Sequence, residues 1–136
     1  MQAIHFFLPI ATPFGRLGLG TCYDLRFPEV ALHAALQGAE LLIYPSAWVD
    51  GPLKALQWKT LISARAIENG ITVIGCSQYA KDTFIGQSFA CDPFRQYTGR
   101  WEGRKNELLL VPVTPGLTRD AHSRIPSLVN RRTDLY

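Results

Sequence analysis

Short apolar runs alternate with helical stripes, and each stripe is closed by a glycine; this alternation constrains the fold more than any other feature of the chain. Residues 15–21 (GRLGLGT) are small and aliphatic over a strand's length, a composition that lets neighbouring backbone approach closely. Pro28 suits the first turn of a helix, where its missing N–H is not needed. Val30, Ala31, Ala34 and Ala35 then form an apolar stripe through 28–37, which Gly38 closes. Residues 40–45 (ELLIYP) form a near-continuous apolar run, as in a strand covered by other elements. Leu53, Leu56, Leu61, Ala64 and Ile67 recur at helical spacing through 54–69, with Gly70 as the stop. Residues 71–77 (ITVIGCS) read as another buried strand. Strand, helix, strand, helix, strand predicts an α/β layer system with helices outside a sheet. Further strands are expected at 88–91, 96–101 and 107–113. With no helix between them, they should add antiparallel to the same sheet, before a short helix over 115–124.

Composition bears on whether this layer is covered on both faces. Only 18% of the 136 residues are charged, against 47% hydrophobic. The charged share lies below the ~25% usual for soluble domains, so the chain either buries an unusual share of itself or presents surface meant for something else. The net charge of +3 comes entirely from residues 91–136, with eight basic and five acidic side chains; residues 1–90 carry six of each. The basic residues of that second part are interleaved with acids, the pattern of a solvated or subunit-facing surface rather than a nucleic-acid footprint. No apolar run approaches the length of a membrane span, and the first residues lack a basic region and a cleavage site. Three cysteines without close pairing or metal-ligand spacing fit a reducing, cytoplasmic compartment.

Cys22 is the candidate for chemistry. It stands where a glycine-flanked strand ends and a proline-started helix is about to begin. A nucleophile on such a turn projects away from the sheet and leaves the following N–H groups free for a developing oxyanion. The alternative role is that of a small buried hydrophobe. Arg26, four residues on, can face the same pocket and grip a carboxylate, or pair internally with Asp24 or Glu29. Trp48 lies in a loop where it can wall a pocket. Trp58, on a helix, is expected in the core, as are Cys76 and Cys91 on their strands. Arg65 is expected to pair with Glu68 or another acid. His5, His33 and His122 show no spacing that links them to Cys22.

Residues 12–29 (TPFGRLGLGTCYDLRFPE) resemble the nucleophile segment of the nitrilase superfamily of carbon–nitrogen hydrolases. The likeness continues through 38–48 (GAELLIYPSAW), 64–69 (ARAIEN), 86–94 (GQSFACDPF) and 125–136 (IPSLVNRRTDLY). The resemblance implies a four-layer α-β-β-α sandwich, of which residues 12–136 would be the C-terminal half: a mixed sheet with helices on one side. Residues 1–11 match none of these blocks. It also implies a homo-oligomer, no metal or organic cofactor, and a small-molecule amide as substrate. Cys22 takes the place of the family's nucleophile, the Tyr23 backbone N–H that of an oxyanion donor, and Arg26 and Trp48 are expected to contact substrate. Residues 48–58 (WVDGPLKALQW) resemble the bacterial deaminated glutathione amidase branch, with the ω-amidases as the related alternative. The family's general-base glutamate and oxyanion lysine precede the cysteine. This chain has no acid before Asp24 and no lysine before Lys54, so alone it is expected to be inactive or to pair with a separate N-terminal half.

Overall fold

Three parallel strands joined by two helices form the centre of the molecule. The structure, a computed structural model, describes residues 8–94 and 108–135 together with the backbone of 97–100. In chain order the elements are β1 (Ile10–Thr12), β2 (Gly15–Leu19), a 3₁₀ turn (Cys22–Arg26), α1 (Pro28–Leu36), β3 (Leu41–Ser46) and α2 (Lys54–Asn69). There follow β4 (Thr72–Ser77), β5 (Tyr79–Ala80), β6 (Phe84–Ile85), β7 (Phe89–Cys91), β8 (Tyr97–Arg100) and α3 (Leu117–Arg124). Six strands make one sheet in the order β1-β2-β3-β4-β7-β8, and β5 and β6 form a small separate hairpin. β2, β3 and β4 are parallel, which the crossovers through α1 and α2 make possible. β1, β7 and β8 add antiparallel at the flanks. The mixed α/β sheet is therefore as the strand and helix pattern predicts.

Register sorts the side chains onto two faces. Gly18 lies opposite Leu42, and Leu42 opposite Val73; two residues on, Tyr44 lies opposite Gly75. This face meets the helices in a core that includes Ala31, Ala34, Trp58, Ile62 and Ala66. Glycine is required where a neighbouring ring or aliphatic side chain comes closest to the backbone. A Cβ at Gly75 would stand 2.5 Å from Cζ2 of Trp58 and 2.9 Å from Cδ1 of Ile62, and one at Gly20 would stand 2.9 Å from Cδ1 of Tyr44.

The other face opens progressively toward the carboxyl ends of the strands. Leu41 and Thr72 are buried, Ile43 and Ile74 half-buried, and Pro45 and Cys76 exposed. Leu19, beside Ile43, is also exposed. Apolar side chains thus line a sheet face that the described residues cover only at one end.

Two sequence expectations change, and strands β1, β5 and β6 are additions to the sequence reading. β1 is added by a tight Thr12-Pro13-Phe14-Gly15 turn, in which the Thr12 hydroxyl donates to the Gly15 carbonyl (2.6 Å) and accepts from the Phe14 N–H (3.1 Å). The strand expected at 107–113 is not one across its described part: residues 108–113 pair with no described strand, and Leu108 and Leu110 are 85% and 79% exposed. Apolar, strand-forming sequence becomes a strand only when an edge is available to it, and no described edge meets this segment. The last helix begins at Leu117, after Gly116 at φ 80°, not at Pro115. His5, Arg95, Gln96, Trp101, the 102–106 loop and Glu107 lie outside the described residues.

Gly75→Ala should destabilise the chain by about 1–3 kcal/mol, the usual cost of overpacking a filled core. Urea unfolding of the two proteins checks this, and equal midpoints would show that Trp58 can move aside.

Candidate active site

The end of β2 and the turn after it place Cys22. The Gly20 N–H still bonds the Ile43 carbonyl at 3.0 Å. The chain then leaves the sheet, and Cys22 adopts φ 45°. For a residue with a Cβ this left-handed conformation costs on the order of 1–3 kcal/mol and persists only where its surroundings hold it. Here they do. The Asp24 carboxylate accepts the Thr21 N–H at 2.9 Å, and the Asp24 N–H donates to the Thr21 carbonyl at 2.9 Å. Leu25 is fully buried, and its carbonyl accepts from both Nε (3.2 Å) and Nη2 (3.0 Å) of Arg65 on α2. Arg65, itself buried, also bonds Glu68 through Nη1 at 2.7 Å. The expected Arg65–Glu68 pair is present; its second duty, pinning the Cys22 turn, connects residues 40 positions apart and leaves no mark in local sequence.

Cys22, Tyr23, Arg26 and Trp48 line one open cleft of about 590 Å³, together with Ala47, Val49, Lys54 and Gln57. The four expected site residues are thus brought together. Arg26 does not pair with Asp24 or Glu29. Its Nη2 donates to Oε1 of Gln57 at 3.1 Å, and its guanidinium carbon stands 4.8 Å from the centre of the Trp48 ring. Trp48 is fixed in turn. Its indole N–H donates to the Lys54 carbonyl (3.1 Å), its carbonyl accepts the Ile85 N–H (3.0 Å), and its ring packs 5.1 Å from Trp58. The Tyr23 ring is exposed and meets Phe27 edge-on. Lys54 and Gln57 were not singled out from the sequence as site residues. Their i, i+3 spacing at the start of α2, just after Trp48, is the signal that could have found them.

The remaining cysteines divide. Cys91 is buried in the core as expected, but Cys76 is exposed on the open sheet face, which corrects its core assignment. The error is one of parity: an unbroken apolar strand does not say which alternate residues face the helices. Its neighbours still crowd the thiol enough to disfavour the charged form, so desolvation raises its pKa. Burial also pushes the Tyr44 phenol well above its ordinary range, with the Arg65 charge opposing that shift. A second groove of about 520 Å³ lies between the end of α1 and α3. His122 lines it and shares a 2.9 Å hydrogen bond with the Asn69 carbonyl, remote from Cys22 in sequence and in a different cleft. No described helix is long and apolar enough to cross a membrane.

A strained cysteine on a strand-to-turn junction, opening onto a cleft with a guanidinium, is an arrangement suited to covalent attack on a carbonyl. The family model for carbon-nitrogen hydrolases matches residues 4–122, and the chain belongs to that family, the nitrilase superfamily. It is similar to the deaminated glutathione amidase of Escherichia coli O157:H7, 44% identical over 117 residues that make up 86% of this chain and 44% of that one. Among solved structures it resembles a carbon-nitrogen hydrolase from Helicobacter pylori G27, with TM-score 0.84 and 32% identity over 94% of this chain and 50% of that one. It also resembles an amidase from Nesterenkonia sp. AN1, seen with acrylamide added at its active-site cysteine, with TM-score 0.75 and 29% identity over 93% of this chain and 46% of that one. The chain therefore spans about half the length of these relatives or somewhat less, and its sheet is part of their fold.

Two outcomes follow from this geometry. Arg65→Leu strips the Leu25 carbonyl of two charge-assisted bonds and should cost about 2–4 kcal/mol in urea unfolding; Arg65→Lys should not restore the loss, because an ammonium cannot make the paired contact. In folded chain, iodoacetamide should modify Cys76 and leave Cys91 untouched. Because burial disfavours the Cys76 thiolate, its labelling rate should go on rising at pH values where a free thiol (pKa ~8.5) has levelled off. A plateau coinciding with that of a free thiol would contradict the assignment.

Proposed function

We propose that residues 12–136 are part of an amide hydrolase of this superfamily acting through Cys22 on a small, carboxylate-bearing amide such as deaminated glutathione. The observation that carries the reading is the strained Cys22 turn opening onto the cleft that holds Arg26. In this mechanism the Cys22 sulfur attacks the amide carbon and the C–N electrons leave with ammonia or an amine, which takes up a proton. Water then cleaves the thioester, releasing the acid and returning the thiol. The Tyr23 backbone N–H donates to the oxyanion formed in each half. Arg26 and Trp48 hold the substrate's carboxylate end. The work takes place in the cytoplasm.

The chain alone is inactive in this reading. A base must take the thiol proton and later activate water, yet no carboxylate is among the described residues that line the cleft. No acid precedes Asp24, and no lysine precedes Lys54. Loss of one oxyanion donor typically lowers the rate by about 10²–10³, and loss of the base adds to that. Ammonia or amine release from deaminated glutathione and from 2-oxoglutaramate tests both halves of the proposal. The purified chain should not exceed Cys22→Ala with either substrate, and turnover abolished by that substitution would overturn the inactivity. In an active full-length relative carrying these cleft residues, preference for 2-oxoglutaramate would favour an ω-amidase-like parent.

A second reading, a half-domain that pairs with another subunit or with a separate N-terminal half, is favoured by the partly open sheet face and by residues 108–113, which pair with no described strand. Exposed apolar strands and faces associate or aggregate unless covered. Sedimentation should then show mass rising with concentration. A sharp, concentration-independent monomer would count against it.

A further inference from the structure

The cleft beside Cys22 carries more positive charge than one substrate carboxylate needs. Arg26 and Lys54 both line it, and no Asp or Glu is among its described lining residues. The two acids nearest in sequence are occupied elsewhere: the Asp24 carboxylate accepts the Thr21 N–H, and the Asp50 carboxylate accepts the Gly51 N–H at 2.7 Å. Arg26 is held in place by neutral partners, the Gln57 amide oxygen and the Trp48 ring. These orient the guanidinium without cancelling its charge. Gln57, which touches Arg26, stands three residues after Lys54 on α2, so the two side chains project from the same helix face about 5–6 Å apart at their Cβ atoms.

We propose that Lys54 is a second anion-binding residue of this cleft, and that together with Arg26 it selects substrates bearing two anionic groups, carboxylates on a short chain, over substrates bearing one. The inference rests on the reading of Cys22 as the nucleophile of the same cleft. Gln57 is part of the device, because a glutamate in its place would tie up Arg26 in an ion pair and leave Lys54 as the lone cation.

Protection of Cys22 from iodoacetamide in the full 136-residue chain, read by mass spectrometry, tests this, with Cys76 outside the cleft as internal control. Glutarate and butyrate are the probes: each has a three-carbon chain on one carboxylate, and glutarate carries a second carboxylate at the far end. Glutarate should half-protect Cys22 at about tenfold lower concentration than butyrate, the effect of one added charge-assisted contact in a partly open site. Lys54→Gln should bring glutarate to the butyrate level and leave butyrate little changed, whereas Lys54→Arg should keep the preference. Gln57→Glu should weaken protection by both. Equal protection by the two probes in the unmodified chain, no protection by either, or an equal loss for both in Lys54→Gln would overturn the proposal. Any of these results would leave the nucleophile reading to its own test, since that reading stands or falls on Cys22-dependent turnover in an active relative.

Discussion

The paired hydrogen bonds from Arg65 to the Leu25 carbonyl carry the architecture of the site. A buried guanidinium is costly to desolvate, and it is tolerated because three of its contacts are met at once: two on one carbonyl and one on Glu68. The carbonyl belongs to the turn that begins at Cys22. The same contact therefore satisfies a buried charge, closes a short 3₁₀ turn against α2, and holds the left-handed cysteine in a conformation it would otherwise leave. Tyr44 beneath Gly20 and Trp58 beneath Gly75 complete the support, since both rings occupy space that any side chain at those glycines would fill.

Much of this was legible in sequence, for identifiable reasons. The central strands and helices announce themselves because Gly38 and Gly70 punctuate apolar periodicity and Pro28 starts a helix. Cys22, Tyr23 and Arg26 fall together because spacing on one turn is a local property, whereas Trp48 joins them through the parallel pairing of β2 and β3, which the family resemblance implies and local spacing does not. The illegible parts are those that depend on an unmarked choice or a distant partner. Cys76 was misplaced because residues 71–77 contain no polar alternation to fix the strand's parity. The 108–113 segment has a strand's composition, but pairing is a property of two segments. The Arg65–Leu25 contact joins a side chain to a backbone carbonyl, and every residue has such a carbonyl, so no residue type signals it.

The partly open sheet face and the cleft belong to one problem. Both lie toward the carboxyl ends of the parallel strands, where β2 passes into the Cys22 turn and β3 into the Trp48 loop. Exposure rises along β3 and β4 in the same direction. The exposed end of that face therefore borders the site, and no carboxylate is among the described residues that line the cleft.

Trp48 touches three parts of the molecule: its carbonyl the β5–β6 hairpin, its indole N–H the first turn of α2, and its ring the Arg26 guanidinium. None of these bonds involves the Asp24 and Arg65 contacts that hold Cys22. Cys22 and Trp48 are thus held by separate sets of bonds, and Arg26, at the end of the Cys22 turn, is where the two sets meet. Removing the Trp48 ring and its N–H would therefore loosen the loop after β3 from the first turn of α2 and from Arg26 at one stroke, while the Asp24 and Arg65 contacts around Cys22 would remain.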